Sequence, residues 1–235
     1  MPSSFYGIGV GPGDSELLTV KAVKVLKQLD VLYTPQAHRN GMSVAQKIAQ
    51  PYLPANLTVK RRHFPMVTDP QVKEAAWQKI ADEVELDVKN GQNVGFLTLG
   101  DPSVYSTFSY IADRVRDAIP VKTIAGISSF SQIAASLSIP LMLDDESLEV
   151  IPATASAEQL GQVIDLNNNV VIMKIATHFA KVYRLLAKRN LLDRTLVVEN
   201  ASMATEKISK LSNYSIHDHL PYFSTGFLKK EGNIQ

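Results

Sequence analysis

The stretch from Asn93 to Ser106, NVGFLTLGDPSVYS, limits the possible folds more than any other. Its apolar run, Val94 to Leu99, has the length and character of a buried parallel strand. Gly100-Asp101-Pro102 then stops it abruptly. Glycine admits backbone angles and close approaches that a side chain forbids. Proline fixes its own φ and pushes the residue before it, Asp101, out of the helical region. A helical pattern follows from Phe108 to Ile119. The unit is a strand, a sharp acidic turn and a helix. In an open α/β sheet, ligands bind just beyond the carboxyl ends of such strands. Taken alone, Gly-Asp-Pro is equally well explained as a tight turn.

The same unit recurs along the chain. Phe5 to Val10 reads as a strand and Gly11 to Asp14 as its turn; a helix is expected over 17–29, capped by Asp14 or Ser15. Val31 to Pro35 and Leu57 to Phe64 read as strands. Between them lies a helix over 42–53, broken near Pro51. A long amphipathic helix over 69–90 ends at Gly91. Val121 to Ala125 is a further strand, followed by a turn at Gly126 and a helix over 130–137 with Ser128 or Ser129 at its cap. Beyond Pro140 the pattern changes. Strands are expected at 148–152, 170–175 and 195–200, helices at 157–166 and 176–190, and hairpin-like strands at 206–211 and 221–228. Strands alternating with helices imply βαβ units. The expected fold is therefore α/β, with an N-terminal domain on a mainly parallel sheet (1–127) and a C-terminal domain on a mixed sheet (128–235).

Composition closes off several functions. A net charge of +1 supplies no field that would recruit nucleic acid. With no cysteine, disulfides, thiolate nucleophiles and cysteine-held metals are excluded. No apolar run approaches the roughly 20 residues of a membrane span, and the N-terminus lacks signal-peptide character, so a cytoplasmic location is expected.

Asp14 and Asp101 each follow a strand and would face one crevice if those strands are neighbours; capping and turn duty are the competing roles. The first turn looks superficially like a dinucleotide fingerprint. However, Gly-x-Gly-x-x-Gly begun at Gly7 meets Pro12, and begun at Gly9 meets Asp14. Such a loop suits an uncharged or cationic ligand better than a diphosphate. Lys60-Arg61-Arg62-His63 is the one dense basic cluster, with Arg61 and His63 on one strand face and Lys60 and Arg62 on the other. It would either hold carboxylates or phosphates, or guard a solvated strand edge. His217 and His219 form the one close histidine pair, and no metal site is expected there.

Three stretches in series carry a resemblance. Tyr6 to Ala22 (YGIGVGPGDSELLTVKA), Leu99 to Tyr105 (LGDPSVY) and Gly126 to Phe130 (GISSF) are similar in order and spacing to the signatures of the tetrapyrrole methylases. The resemblance runs over essentially the whole chain. One departure is Ala125, where relatives commonly carry proline, which loosens the turn. Gln50 to Pro54, His63 to Met66, Trp77 and Thr98 to Tyr110 are most like the branch that methylates C-20 of precorrin-2 or cobalt-factor-2 in cobalamin synthesis.

The resemblance implies S-adenosyl-L-methionine as methyl donor, a tetrapyrrole substrate, a homodimer, and a cofactor cleft between the two domains. It places Pro12, Leu99, Gly100, Asp101, Val104, Tyr105, Ser128 and Ser129 at the cofactor. Met173, Asn200, Ala201, Ser224, Thr225 and Gly226 are added from the second domain. Asp14, Arg39, Arg61 and Arg62 fall on the substrate side, and Asp101 is the candidate base for loss of the meso hydrogen. Other ring positions, a diphthine synthase or rRNA methyltransferase-like member, and a non-catalytic cofactor-binding module stay open as alternatives.

Overall fold

The structure is a computed structural model, described here for residues 2–35, 42–64 and 69–232. Arg39 and Pro65-Met66 lie outside the described residues. The chain divides into two compact units, Met1–Ser128 and Ser129–Gln235.

The first unit is built on five parallel strands: β1 (Phe5–Gly9), β2 (Val31–Pro35), β3 (Thr58–Arg62), β4 (Val94–Thr98) and β5 (Val121–Ile124). Their order across the sheet is β3-β2-β4-β1-β5. Strand alternation sends Phe5, Val31, Tyr33, Val94 and Phe96 to one face, and Ile8, Leu32 and Leu97 to the other. The first face is covered by α3 (Pro70–Lys89) and α4 (Phe108–Val115) through Ile80, Val84, Ile111 and Val115. The second is covered by α1 (Val20–Leu26) and α2 (Val44–Ala49) through Ala22, Leu26, Ala45 and Ile48. Each such aliphatic side chain, once buried, contributes roughly 1.5–3 kcal/mol.

Among the boundaries that differ from expectation, two have plain local reasons. The helix expected over 17–29 starts only at Val20, where the Thr19 hydroxyl accepts from the Ala22 N–H. Asp14 instead caps a short 3-10 turn, Ser15–Leu17, accepting the Glu16 N–H at 2.8 Å. Ser129 lies inside α5 (Ser129–Ser136) rather than ahead of it.

The second unit also holds five strands: β6 (Leu148–Pro152), β7 (Asn169–Met173), β8 (Thr195–Glu199), β9 (Lys207–Lys210) and β10 (Ser224–Lys229). Their order is β6-β7-β10-β8-β9. Only β6 and β7 pair in parallel; β10 runs antiparallel between β7 and β8, and β9 antiparallel to β8. Helices α6 (Ala157–Leu166) and α7 (Phe179–Ala187) cover one face with Leu160, Ile164, Phe179 and Val182. Within this unit α5 contributes Phe130 and Ile133 to clusters with Phe227 and Val198. Lys229 is 2% exposed, and its ammonium is paired with Glu146 at 2.9 Å and bonded to Asn169 at 3.2 Å.

Candidate functional site

All five strands of the first sheet run the same way, so all five carboxyl ends lie along one edge. At the centre of that edge β1 and β4 are neighbours. The chain leaves β1 toward β2 on one side and leaves β4 toward β5 on the other. Such a reversal of direction opens a crevice, the usual ligand position in sheets of this kind.

Three glycine-bearing loops meet there. Gly11 and Gly100, both at φ 75°, exchange backbone hydrogen bonds of 3.3 and 2.8 Å, which tie the loop after β1 to the loop after β4. The loop after β5 presses onto both. A Cβ on Gly126 would stand 2.2 Å from the Gly100 oxygen and 2.7 Å from the Gly9 Cα. A Cβ on Gly9 would stand 2.6 Å from the Gly126 backbone. Only hydrogen at Cα permits this contact. Gly100 is buried, and a Cβ there would meet the Ile127 oxygen at 3.9 Å and the Ser128 Cα at 4.0 Å, ordinary contact distances.

Asp101 joins these loops. Its Oδ1 accepts the Ser103 N–H at 2.8 Å and also the Ser103 hydroxyl. Its Oδ2 accepts the Gly126 N–H at 2.8 Å. Burial pushes the Asp101 carboxyl up, but the hydroxyl and N–H of Ser103 and the N–H of Gly126 outweigh it and hold the group below its ordinary value. Both oxygens accept hydrogen bonds, so the carboxylate ties the loop after β4 to the loop after β5. Downstream, the Thr98 and Ser106 hydroxyls lie 2.9 Å apart and the Ser106 Oγ accepts the Phe108 N–H at 3.1 Å, which joins the end of β4 to the start of α4.

The other expected residues of the first unit sort clearly. Pro12 is buried in the β1 loop, Leu99 and Val104 are half-buried in the β4 loop, and Ser128 is half-buried in the β5 loop. Tyr105 is 47% exposed and holds φ at 49°, an uncommon conformation for a bulky side chain. Asp14 is exposed and spends one oxygen on its cap.

The basic strand β3 is an edge strand, and its cations diverge. Arg62 is paired with Glu83 at 2.6 Å and Lys60 with Asp87 at 2.7 Å, so both are tied to α3. Asp87, 6% exposed, also accepts the Tyr33 hydroxyl at 2.7 Å. The Arg62 guanidinium, expected on the substrate side, is part-exposed and paired with Glu83 of α3. Arg61 points the other way and is exposed.

In the second unit the expected residues also share one edge. Met173 ends β7, Asn200 and Ala201 follow β8, and Ser224 opens the antiparallel β10. Ser224 pairs with Glu199 and Gly226 with Ile172, while the Asn200 N–H donates to the Phe223 carbonyl at 2.8 Å. His217 and His219 are exposed, and among the described residues no group of three or more metal-ligating side chains is found. Among the same residues, no helix is long and apolar enough to cross a membrane.

Sequence reasoning missed Ser103 and Gly126 as partners of Asp101. The first had a local signal, since an aspartate bonding the N–H two residues on is a common turn. The second joins residues 25 apart in sequence and had none.

With this geometry in view, a family model described as tetrapyrrole (corrin/porphyrin) methylases matches residues 4–214. The chain belongs to the tetrapyrrole methylases. This methylase is 34% identical over 232 residues to the cobalt-precorrin-2 C(20)-methyltransferase of Salmonella typhimurium, covering 98% of both chains. It is 33% identical over 229 residues to the precorrin-2 C(20)-methyltransferase of a Sinorhizobium species, covering 93% of this chain and 91% of that one. The solved uroporphyrin-III C-methyltransferase of Thermus thermophilus, complexed with S-adenosyl homocysteine, shares the fold at TM-score 0.68 and 20% identity, covering 97% of this chain and 98% of that one.

Proposed function

We propose that the protein transfers a methyl group from S-adenosyl-L-methionine to the C-20 meso carbon of precorrin-2 or its cobalt-bound form, in cobalamin biosynthesis. The observation that carries the reading is likeness to C(20)-methyltransferases over both units of the chain, at 33–34% identity. The three-loop contact at the carboxyl edge of the first sheet supports the cofactor. Its segments 9–19, 98–110 and 124–130 contain aspartates and glutamate but no lysine or arginine. That is a poor seat for a diphosphate and a good one for a sulfonium cation recognised mainly by backbone groups. The residues present therefore fit S-adenosylmethionine.

When bound, the cofactor supplies a methyl group on a positively charged sulfur, which needs no metal or covalent enzyme nucleophile for its transfer. The chain's task is then to hold the donor and the acceptor carbon in line. Proximity and orientation of this kind supply roughly 7–11 kcal/mol. We assign the holding of the donor to Pro12, Leu99, Gly100, Asp101, Val104, Tyr105 and Ser128 in the first unit. Ser129, Met173, Asn200, Ala201, Ser224, Thr225 and Gly226 are assigned from their family positions. The substrate is rimmed with carboxylates, and the exposed guanidinium of Arg61 is the fork available on β3 to bind one. Arg39 keeps its substrate-side assignment and Asp14 a secondary one. A homodimer and a cytoplasmic location complete the proposal, and a single-chain mass in sedimentation would remove the first of these.

The test is turnover with S-adenosylmethionine under anaerobic conditions, with metal-free precorrin-2 and cobalt-factor-2 offered in parallel and the product followed by mass. One added methyl on either ring at C-20 is expected. Methylation at another position, or of neither ring, sinks the assignment.

A further inference from the structure

We infer that Asp101 is a positioning residue for the methyl donor: its carboxylate splices the loop after β4 to the loop after β5 and so sets the shape of the cofactor seat. The inference rests on the cofactor reading above and replaces a proton-transfer role with a mechanical one.

The geometry is a relay of ties. The loop after β1 is joined to the loop after β4 by the paired Gly11 and Gly100 bonds. The loop after β4 is joined to the loop after β5 by the Asp101 Oδ2 bond to the Gly126 N–H. The second tie holds Gly126 at a separation where a single added carbon would lie 2.2 Å from the Gly100 oxygen. The β1–β5 ladder, which ends at Ile8 and Ile124, and the Thr19 hydroxyl bond to the Ala125 carbonyl at 3.5 Å hold the loop after β5 against β1, whereas the Asp101 bond joins that loop directly to the loop after β4.

Three donors, two from Ser103 and one from Gly126, converge on the one side chain. A carboxylate can accept all three, and its negative charge strengthens each bond. An amide cannot, since one of its two termini is itself a donor. Pro102 adds to the effect by removing the N–H that would otherwise follow Asp101 and by restricting the aspartate backbone to extended angles. The loop is thus stiff at its start and anchored at its side.

The substitution Asp101→Asn turns one acceptor into a donor facing either Gly126 or Ser103. Calorimetry with S-adenosylmethionine alone reads the affinity, single-turnover and steady-state assays read the chemistry, and amide hydrogen exchange reads the Gly126 N–H. The expected result is a cofactor affinity weakened about tenfold or more, the equivalent of 1.4 kcal/mol. The fall in kcat at saturating cofactor should be much smaller than the fall in affinity, and Gly126 exchange faster. Ser103→Ala, which removes one of the three donors, should fall between wild type and Asp101→Asn in affinity.

Two results overturn the inference. One is an unchanged cofactor affinity with kcat down about a hundredfold and its acidic pH limb lost, which is the signature of a general base. The other is a lowered melting temperature with affinity and kcat both as in wild type, which leaves Asp101 a purely structural tie. If Asp101→Asn does not fold, Ser103→Ala and the wild-type Gly126 amide still decide: wild-type cofactor affinity in the first, or an unprotected amide in the second, overturns the inference. Failure of the wild type to methylate either tetrapyrrole counts against the proposed reaction alone, because the binding comparison uses no tetrapyrrole.

Discussion

The two sheets offer candidate residues at one edge each, but they build that edge differently. In the first, parallel sheet the edge consists only of carboxyl ends, so the loops after β1, β4 and β5 meet backbone to backbone. In the second, mixed sheet the antiparallel β10 enters where β7 and β8 leave, so ladder bonds such as Asn200 to Phe223 hold the edge in place. Glycines that touch neighbouring backbone belong to the first design. Ordinary side chains suffice in the second.

The sharpest way to break this contrast is a pair of glycine substitutions. Gly126→Ala drives a Cβ into fixed backbone at 2.2 Å and should cost about 3 kcal/mol or more, with loss of cofactor binding. Gly226→Ala meets the movable Ile175 Cδ1 at 3.2 Å and should cost about 1 kcal/mol or less. Chemical denaturation followed by circular dichroism, with the fluorescence of Trp77 reporting the first unit separately, measures both. Equal costs would erase the distinction.

A second pair concerns tyrosines bonded to carboxylates. Tyr33, fully buried, donates to Asp87 at 2.7 Å in the first unit. Tyr214, 9% exposed, donates to Glu199 at 2.8 Å in the second. Tyr33→Phe takes one donor from a buried carboxylate that keeps its Lys60 pair and should cost about 1–3 kcal/mol, whereas Tyr214→Phe should cost about 0.5–1.5 kcal/mol. Thermal melts of the two variants compare them directly.

The arginines of β3 sharpen the comparison within the first unit. Arg62→Ala should lower stability by up to about 1 kcal/mol, the scale of a partly exposed pair, with tetrapyrrole affinity unaffected. Arg61→Ala should do the reverse, weakening tetrapyrrole binding about fivefold through loss of a charge-assisted contact. Unaltered binding in Arg61→Ala would reduce β3 to a charged, guarded edge.

The smallest effect is an alkaline one. Burial, then the bond to Glu199, push the Tyr214 phenol up to about 12 from an ordinary 10.0. The folded state thus favours the neutral phenol. Its contribution is complete below pH 10 and is lost as pH rises from there through about 12. Absorbance titration at the phenolate band should show a late-titrating tyrosine that disappears in Tyr214→Phe. A curve without that late component would contradict it.

Much of the fold was legible because parallel strands and their turns leave local marks. The Val94 to Leu99 run, its Gly-Asp-Pro stop and the Gly91 helix end are each readable from a few neighbouring residues. The site's position was legible for the same reason, since its loops follow strands. The tie from Asp101 to Gly126 was not: the two are distant in sequence, and an aspartate in a turn reads the same whatever its far oxygen accepts. Arg61 and Arg62 are likewise adjacent and chemically identical. Only the position of Glu83 on α3 tells them apart. The late start of α1 was hidden by two competing caps, Asp14 and Thr19, each satisfied by its own short turn.

The strand order has a further consequence, for how the chain is born. β1 leaves the ribosome before β2 to β5, yet its partners are β4 and β5, with Phe5 paired to Val94 on one side and Val121 on the other. Until most of the first unit has been synthesised, β1 has neither neighbour, and its apolar Phe5 and Ile8 have no sheet to join. Contacts this distant form slowly, and an unpaired apolar strand is open to the wrong partner. β6 and β7 are separated by one short helix and meet soon after they emerge. The half of the molecule translated first is therefore the half that must wait, and chaperone demand during synthesis should centre on its opening strand.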